Sequence, residues 1–385
     1  MTESSSSRKV LLAMSGGVDS SVAAILLQKE GWDVVGCFMR LGSPGEALQE
    51  AVEACDTSKI RIGHQGCCSI NDAEDARRVA ASLDIPFYVL NFREDFGRII
   101  DYFRAEYHAG RTPNPCVRCN DWLKFGRLHD YAKQIGASYV ASGHHARVTG
   151  EGNERRIRCG VDEDKDQSYV LFGAPTQRLQ EMLLPIGHLN KDQVREIARK
   201  EGLPVFNKPD SQEICFVPDN DYAGLLSRTD PDAIKPGEIV NQSGDVVGSH
   251  DGHQHFTIGQ RRGIGIASDK PLYVINRDAD SNQIIVGERD QLSSPGLLAE
   301  KANWFVDPPE DWLPCRVRIR YNAPAVPARV RCDSPETFIV EFGSPQFAVA
   351  PGQAAVCYDG DAVIGGGWIH QPLSSNAIEF VHGDE

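Results

Sequence analysis

Two regimes of hydrophobic patterning divide this chain near residue 205. Before it, short unbroken apolar runs alternate with stretches of helical period. RKVLLAM (8–14) reads as a strand buried on both faces, and the helix predicted over 20–30 is stopped by Gly31. DVVGCFM (33–39), FYVLNF (87–92) and SYVAS (138–142) predict further strands. The intervening helices are one within NDAEDARRVAASL, with Asn71 as N-cap and Glu74 three residues on, one reaching about residue 108, and one from about 119 after a Pro-rich loop at 112–116. Strand and helix in alternation mean an α/β fold, a doubly wound parallel sheet that takes ligands at the C-terminal ends of its strands.

Past residue 205 the helical period fades and glycine becomes frequent. Short β runs separated by turns take over, as in PLYVINRDADSNQIIVGE and QAAVCYDGDAVIGGGWI, where D-G-D marks a hairpin. A chain of 385 residues is too long for one core. Three domains are expected: an α/β domain over 1–209, a small central linking domain over 210–288 and a C-terminal β-barrel over 289–385.

Composition narrows the class without naming a chemistry. With 41% hydrophobic and 24% charged residues the chain reads as globular, and no window approaches the ~20 apolar residues of a membrane span. MTESSSSRKV is polar, unlike a signal peptide, so a cytoplasmic protein without a membrane partner is expected. Eleven cysteines, an odd number without a secretion signal, argue for reduced thiols. The net charge of −14 opposes nucleic-acid binding on average, although a local basic face would outweigh it.

Chemistry concentrates in a few strings. In LLAMSGGVDSS (11–21) the residues Ser15, Gly16, Gly17, Val18, Asp19 and Ser20 lie between a strand and a helix N-terminus, where backbone N–H groups attract anions. No Walker lysine follows, which suits a loop that grips the pyrophosphate end of ATP while AMP is transferred. GRTPNPCVRCN (110–120) places Cys116 and Cys119 at C-x-x-C spacing at a helix start, a setting that lowers a thiol pKa. A single C-x-x-C supplies half a tetrahedral zinc site, and His64 with Cys67 would have to complete it. Cys215, in NKPDSQEICFVPD (207–219), stands in a polar loop, whereas Cys37, Cys159, Cys315, Cys332 and Cys357 fall in or beside apolar β runs and are assigned to packing. ASGHHAR (141–147) offers Gly143 for close approach to a nucleotide, with His144 or His145 beside it, and DEDKDQSYVLF holds Lys165, Asp166 and Gln167. PCRVRIRYNAPAVPARVRC (314–332) carries five arginines and no acid. Alternation would put Arg316, Arg318 and Arg320 on one strand face, with Arg329 and Arg331 from the next and Tyr321 available to stack on a base.

Together and in this order, SGGVDSS, AGRTPNPCVRCN, ASGHHAR, DKDQSY, DSQEICF, HFTIGQRRGIGI, RIRYNAPAVP and PGQAAVCYDGDAVIGGGWI resemble the tRNA-specific 2-thiouridylase family over nearly the whole chain. The resemblance implies a PP-loop ATP pyrophosphatase-type domain, a central domain and a tRNA-binding barrel. It implies that ATP, with Mg²⁺, adenylates carbon-2 of a tRNA wobble uridine and that sulfur then replaces oxygen. By that matching Ala13, Met14, the loop through Ser20, Met39 and Gly143 bind ATP. Cys215 carries a persulfide and Cys119 is the nucleophile, a Cys119–Cys215 disulfide remaining after release. Asn114, Pro115 and Cys116 border the base. Lys165, Asp166, Gln167, Arg320 and Tyr321 contact tRNA, and His144 and Gln353 help select it. The implied partners are tRNA and a persulfide donor, either a cysteine desulfurase or a sulfur-relay protein. Some members have Asp at the position of Cys116, so the general base stays unassigned, and the alternative to the persulfide route is a [4Fe–4S] cluster on Cys116, Cys119 and Cys215. The rival readings are another adenylating ligase or amidotransferase of the same fold and a non-catalytic RNA-binding protein.

Overall fold

The computed structural model describes residues 8–42, 70–210, 214–217 and 221–375, which form two units. One contains the described residues up to 99 together with 116–217, and the other contains 100–115 together with 221–375.

In the first unit the predicted apolar runs become strands β1 (Lys9–Ala13), β2 (Asp33–Arg40), β3 (Phe87–Asn91) and β4 (Tyr139–Ser142). A hairpin, β5 (Ala146–Thr149) and β6 (Arg156–Cys159), and the short β7 (Met182–Leu183) follow. The sheet order is β3-β2-β1-β4-β7, with every pairing parallel. Helices α1 (Val18–Lys29) and α2 (Ile70–Ser82) follow β1 and β2, and α3 (Arg93–His108) follows β3. β1 is buried from Val10 to Ala13, as a central parallel strand covered on both faces requires. Val10, Leu12 and Met14 share a core with Val22 and Ala23 of α1 and Ala76 and Val79 of α2. The chain runs outward from β1 through β2 to β3 and then crosses back to β4. The strand order therefore reverses between β1 and β4, which opens a crevice at their C-terminal ends.

Two helix starts differ from expectation. Asn71 lies inside the first turn of α2 and faces solvent, while its neighbour Asp72 turns inward. Helix α4 begins at Pro115, not near 119, because proline is well suited to the first helical position, where its missing N–H costs nothing. It runs α-helically over Pro115–Arg118, as a π-helix over Cys119–Arg127 and again α-helically over Leu128–Gln134. Such i→i+5 segments are uncommon and recur at functional sites. Helix α5 (Lys191–Lys200) completes this unit, its N-terminus closed by a reciprocal Asn190–Gln193 capping box.

The second unit holds helix α6 (Tyr222–Thr229), whose Tyr222 ring stacks on Tyr107 with centroids 6.4 Å apart. Strands β8 (Gly237–Val240), β9 (Val246–His250), β10 (Tyr273–Asp278) and β11 (Gln283–Gly287) form a mixed sheet in the order β10-β11-β8-β9. Ile239, Phe256, Val274 and Ile284 fill its core. Then β12 (Ser293–Trp304), β13 (Leu313–Arg318), β14 (Val326–Ser334), β15 (Thr337–Phe347), β16 (Ala354–Asp359) and β17 (Ala362–Leu373) close as a six-stranded antiparallel barrel through the β12–β17 pairing. The D-G-D hairpin joins β16 to β17, with Gly360 at φ +58. Residues 100–115 belong to this unit, although they lie inside the stretch expected to be the nucleotide-binding domain.

The π-helical stretch buries a carboxyl group. Burial pushes Asp121 up to about 6, and Arg118, 3.5 Å away, offsets only part of that rise. This value stands above the ordinary 3.8, so the charged form disfavours the fold; the penalty is absent below pH 3.8 and complete above about 6. Asp121→Asn is expected to leave stability nearly unchanged at pH 4 and to raise it at pH 8 by about 1–3 kcal/mol in denaturant titrations. No gain at pH 8 would mean that Arg118 compensates burial in full.

Candidate functional site

The loop after β1 is shaped by two constraints on one residue. Gly16 has φ +72, and a Cβ there would stand 2.2 Å from the Asp72 carbonyl oxygen, so only glycine fits. Gly17 caps α1 without a side-chain bond. The hydroxyls brace the loop from within: Ser20 Oγ accepts from the Ser15 N–H at 3.2 Å, and Ser21 Oγ donates to the Gly17 carbonyl at 2.8 Å. The result is a helix N-terminus opening into the crevice between β1 and β4, an anion site by its dipole and its N–H groups. Gly143, after β4, lies against the same loop. Its absent side chain admits the backbone of Asp19 and Ser20, which a Cβ would approach to 2.5–2.8 Å.

The cation missing from the loop's own sequence arrives from a distance. Lys191 Nζ, only 10% exposed, reaches both Asp19 oxygens at 2.7 and 2.8 Å and Asp210 Oδ1 at 2.8 Å. As the first residue of α5 it sits at the unfavourable, positive end of that helix, so the two carboxylates are what hold its charge there. Burial would raise the Asp19 carboxyl, but His145, whose Nε2 lies 3.2 Å away, and Lys191 outweigh it and keep the group below its usual value. Asp210 behaves alike: against the upward pull of burial, Lys165 at 2.9 Å and Lys191 hold it at about 2. Arg195 adds a third cation to Asp210 at 3.2 Å.

A second lysine fastens the other side of the loop. Lys208 Nζ donates to the Gly16 carbonyl at 3.0 Å and to Asp72 and Asp75 at 2.7 Å each. Lys208 and Asp210 are also the stem of the segment that carries Cys215, so two ionic anchors tie that stem to the nucleotide loop. Beyond the stem, Cys215 is half-buried, Phe216 meets Phe96 edge-on with centroids 5.6 Å apart, and Val217 is buried.

On α4, Cys116 is exposed and Cys119 is half-buried at the junction of the α-helical and π-helical turns. The same helix is pinned to the end of β4. His144, buried, has Nδ1 2.6 Å from Ser142 Oγ and Nε2 3.4 Å from Lys124 Nζ. Burial first, then Lys124 and His145, drive its pKa well down, so it is neutral. Because the ammonium donates to Nε2, the ring proton sits on Nδ1 and donates to Ser142.

Other expected residues take inward contacts. Asp166 is buried and accepts from Gly160 N–H, Ser168 N–H and the Ser168 hydroxyl, and the Gln167 side chain accepts from the His145 N–H at 2.9 Å. Met14 is buried and Met39 half-buried at the ends of β1 and β2. In the barrel the predicted arginine face is broken. β13 ends at Arg318, so Arg320 is off the strand and donates to the Ala348 carbonyl at 2.7 Å. Arg318 donates to the Tyr321 carbonyl and lies over its ring, Arg316 donates to Ala325, and Arg329 and Arg331 flank the Trp312 ring at 4.7 and 5.2 Å. Alternation was read correctly, since Val317 between Arg316 and Arg318 is buried; the carbonyls and the indole awaiting those cations were not visible in it. Also in the second unit, Asn114 and Pro115 are buried, and Gln353 Nε2 donates to the Thr112 and Pro113 carbonyls at 3.2 Å each.

Among the described residues no group of three or more His, Cys, Asp or Glu side chains is arranged to hold a metal ion. Cys116, Cys119 and Cys215 are all described, so the geometry gives the iron–sulfur alternative no support. The zinc completion by His64 and Cys67, and Cys55 and Cys68, lie outside the described residues. Cys37 and Cys357 are fully buried in cores, and burial pushes Cys37 up to about 12. Among the described residues no helix is long and apolar enough to cross a membrane.

The sequence pattern points to Asp19 in the loop but not to Lys191, Lys208, Asp72, Asp75 or Asp210. Only the flanks were legible there: Lys208 and Asp210 bracket the proline ahead of Cys215, and Lys191 follows the N-cap Asn190.

Three family models match in succession: the tRNA methyl transferase HUP domain over residues 8–219, the tRNA methyl transferase PRC-barrel domain over 228–288 and the aminomethyltransferase beta-barrel domain over 294–369. The tRNA-specific 2-thiouridylase MnmA of Rhodopirellula baltica is 47% identical over 382 residues, covering 94% of this chain and 96% of that one. Its counterpart in Carboxydothermus hydrogenoformans is 46% identical over 371 residues, covering 95% and 98%, and that of Geotalea uraniireducens is 45% identical over 377, covering 97% and 98%. Methyl transfer and thiolation are different chemistries, and it is the relatives matched along nearly their whole length that carry the second name. On that likeness the chain belongs to the tRNA-specific 2-thiouridylase family.

Proposed function

We propose that this chain is a tRNA-uridine 2-sulfurtransferase that uses ATP to replace the carbon-2 oxygen of a wobble uridine with sulfur. The observation that carries the reading is the double anchoring of the Cys215 stem, through Lys208 and Asp210, to the loop and helix start where a nucleotide's phosphates would lie. A ligase acting on a small acid has no use for that connection between nucleotide and thiol.

In this reading the base's carbon-2 oxygen attacks the α-phosphorus of ATP and pyrophosphate departs. The N-terminus of α1 holds the departing phosphates, and Lys191, already aimed at the loop, balances their charge. A Mg²⁺ accompanying ATP would neutralise phosphate charge when bound, and Asp19 would hold it by giving up part of its pairing with Lys191. Met14 and Met39 border the adenine side. The terminal sulfur of a Cys215 persulfide then bonds to carbon-2 as AMP leaves. Cys119 thiolate attacks the Cys215 sulfur, which breaks the sulfur–sulfur bond, leaves sulfur on the base and forms a Cys119–Cys215 disulfide. An external dithiol reduces that disulfide, and a cysteine desulfurase or a sulfur-relay protein renews the persulfide. Asn114, Pro115 and Cys116 would line the unstacked base. Lys165, Asp166, Gln167 and His144 act on tRNA through the elements they brace, and Tyr321, exposed on the barrel, offers a stacking face. A cytoplasmic location follows from a tRNA substrate.

Cys119→Ser and Cys215→Ser are each expected to abolish transfer of labelled sulfur to tRNA while ATP binding persists; thiolation surviving in either variant would refute the assigned chemistry. Pyrophosphate release should require tRNA, and release without RNA would favour a small-substrate ligase instead. Lys191→Met is expected to slow tRNA-dependent pyrophosphate release about 10²-fold or more, with tRNA retention on filters unchanged. A wild-type rate would mean that the Lys191 ion pairs serve stability alone.

A further inference from the structure

The π-helical stretch of α4 changes which side chains share a side of the helix. On an α-helix, at about 3.6 residues per turn, positions five apart point roughly 140° away from each other. A ladder that reaches back five residues instead of four returns them to nearly the same side, one turn apart. Cys119 opens this stretch and Lys124 stands five positions on, so the wider turn stacks the lysine on the cysteine's side. Gly126 lets the chain take that turn, since a Cβ there would stand 2.6 Å from the Asp121 carbonyl oxygen.

Lys124, half-buried, is held by a neutral partner. Its Nζ lies 3.4 Å from Nε2 of His144, whose Nδ1 is tied to Ser142 Oγ at 2.6 Å, and the Phe125 ring tilts against the same imidazole with centroids 6.1 Å apart. All these residues belong to the first unit. A neutral imidazole fixes an ammonium without cancelling its charge, and among the described residues no carboxylate comes within ion-pair distance of Lys124. Lys191 and Lys208 differ, for each is matched by two carboxylates. Arg118, the cation on the other side of Cys119, is engaged elsewhere: Asp121 lies 3.5 Å from it, and it lies over the Trp122 ring at 5.0 Å, which Arg98 of α3 also approaches at 5.1 Å. Near the same turn Cys116 is exposed, Tyr169 is buried in the turn Ser168–Leu171 that packs on the helix through Asn120, and His145 is engaged by Asp19.

We propose that Lys124 is the counter-ion of the Cys119 thiolate, brought to its side of the helix by the π-helical turn and steadied there by neutral His144. A cation nearby favours the charged form of a thiol, so Cys119 ionises more readily than it would alone; its proton leaves to solvent and the ammonium keeps its own. His144 is then a positioning residue. The proposal rests on the reading of Cys119 as the thiol that attacks the Cys215 sulfur, and it gives the uncommon helical turn a use in that step.

The test uses the full-length protein. Lys124→Met and Lys124→Gln remove the charge and Lys124→Arg keeps it, while melting temperatures check folding. Alkylation of Cys119 by iodoacetamide without ATP or tRNA, read by peptide mass spectrometry, is expected at pH 7 to slow about threefold or more in the two neutral variants, with the pH profile moved upward, and to stay within about twofold of wild type in Lys124→Arg. In single-turnover assays, sulfur transfer to tRNA from protein carrying the persulfide should slow about 10-fold or more in the neutral variants and be largely restored by arginine. An alkylation profile that is the same with and without the charge would overturn the proposal. Slowed pyrophosphate release with that profile unchanged would also overturn it, and would make Lys124 a partner of the nucleotide's phosphates. Sulfur transfer by Cys119→Ser would bring down the underlying reading while leaving the alkylation comparison intact, so the two failures are distinct.

Discussion

An ammonium group held between two carboxylates organises the first unit. Lys191 is nearly buried, and each of its partners belongs to a different part of the chain: Asp19 to the loop after β1, Asp210 to the stem before Cys215. Removing one partner from a buried ion pair strands the other charge, typically at about 3–5 kcal/mol, whereas the intact pair adds little net stability. Such an arrangement fixes geometry more than it strengthens the fold. It holds the N-terminus of α1, the β4 terminus and the thiol-bearing segment in one register.

The reversal of strand order between β1 and β4 makes this possible. Two chain segments that are far apart in sequence end side by side, one delivering Gly16 and Asp19, the other Gly143 and His145. Gly143 exists for the packing of one against the other, and His144 carries the contact onward to Lys124 in the π-helical stretch of α4. The loop after β1, the end of β4 and the cysteine helix are thus linked by short polar contacts whose groups are mostly shielded from water, where hydrogen bonds hold position well.

Much of this architecture was legible beforehand because it depends on short-range pattern. The apolar run at 8–14, the breaks at Gly31 and at the D-G-D turn, and the switch from helical to β periodicity each have local causes. Pro115 was misjudged because the residue that breaks a helix in its interior is welcome at its first position. The lysines of the site stayed hidden for a different reason. Lys191 lies 172 residues from Asp19 and Lys208 lies 192 from Gly16, and along the chain both look like ordinary surface cations. The arginine run near 316–331 is conspicuous in the sequence, but the end of β13 before Arg320 and the backbone carbonyls and Trp312 ring that engage its cations come from neighbouring turns and strands.

Barrel closure bears on which positions of the second unit tolerate change. Every strand from β12 to β17 has a hydrogen-bonded neighbour strand on either side among the described residues, so the ring has no edge strand. Variation there falls most easily on exposed side chains and connecting turns, which can change while the closed ring of main-chain hydrogen bonds stays intact.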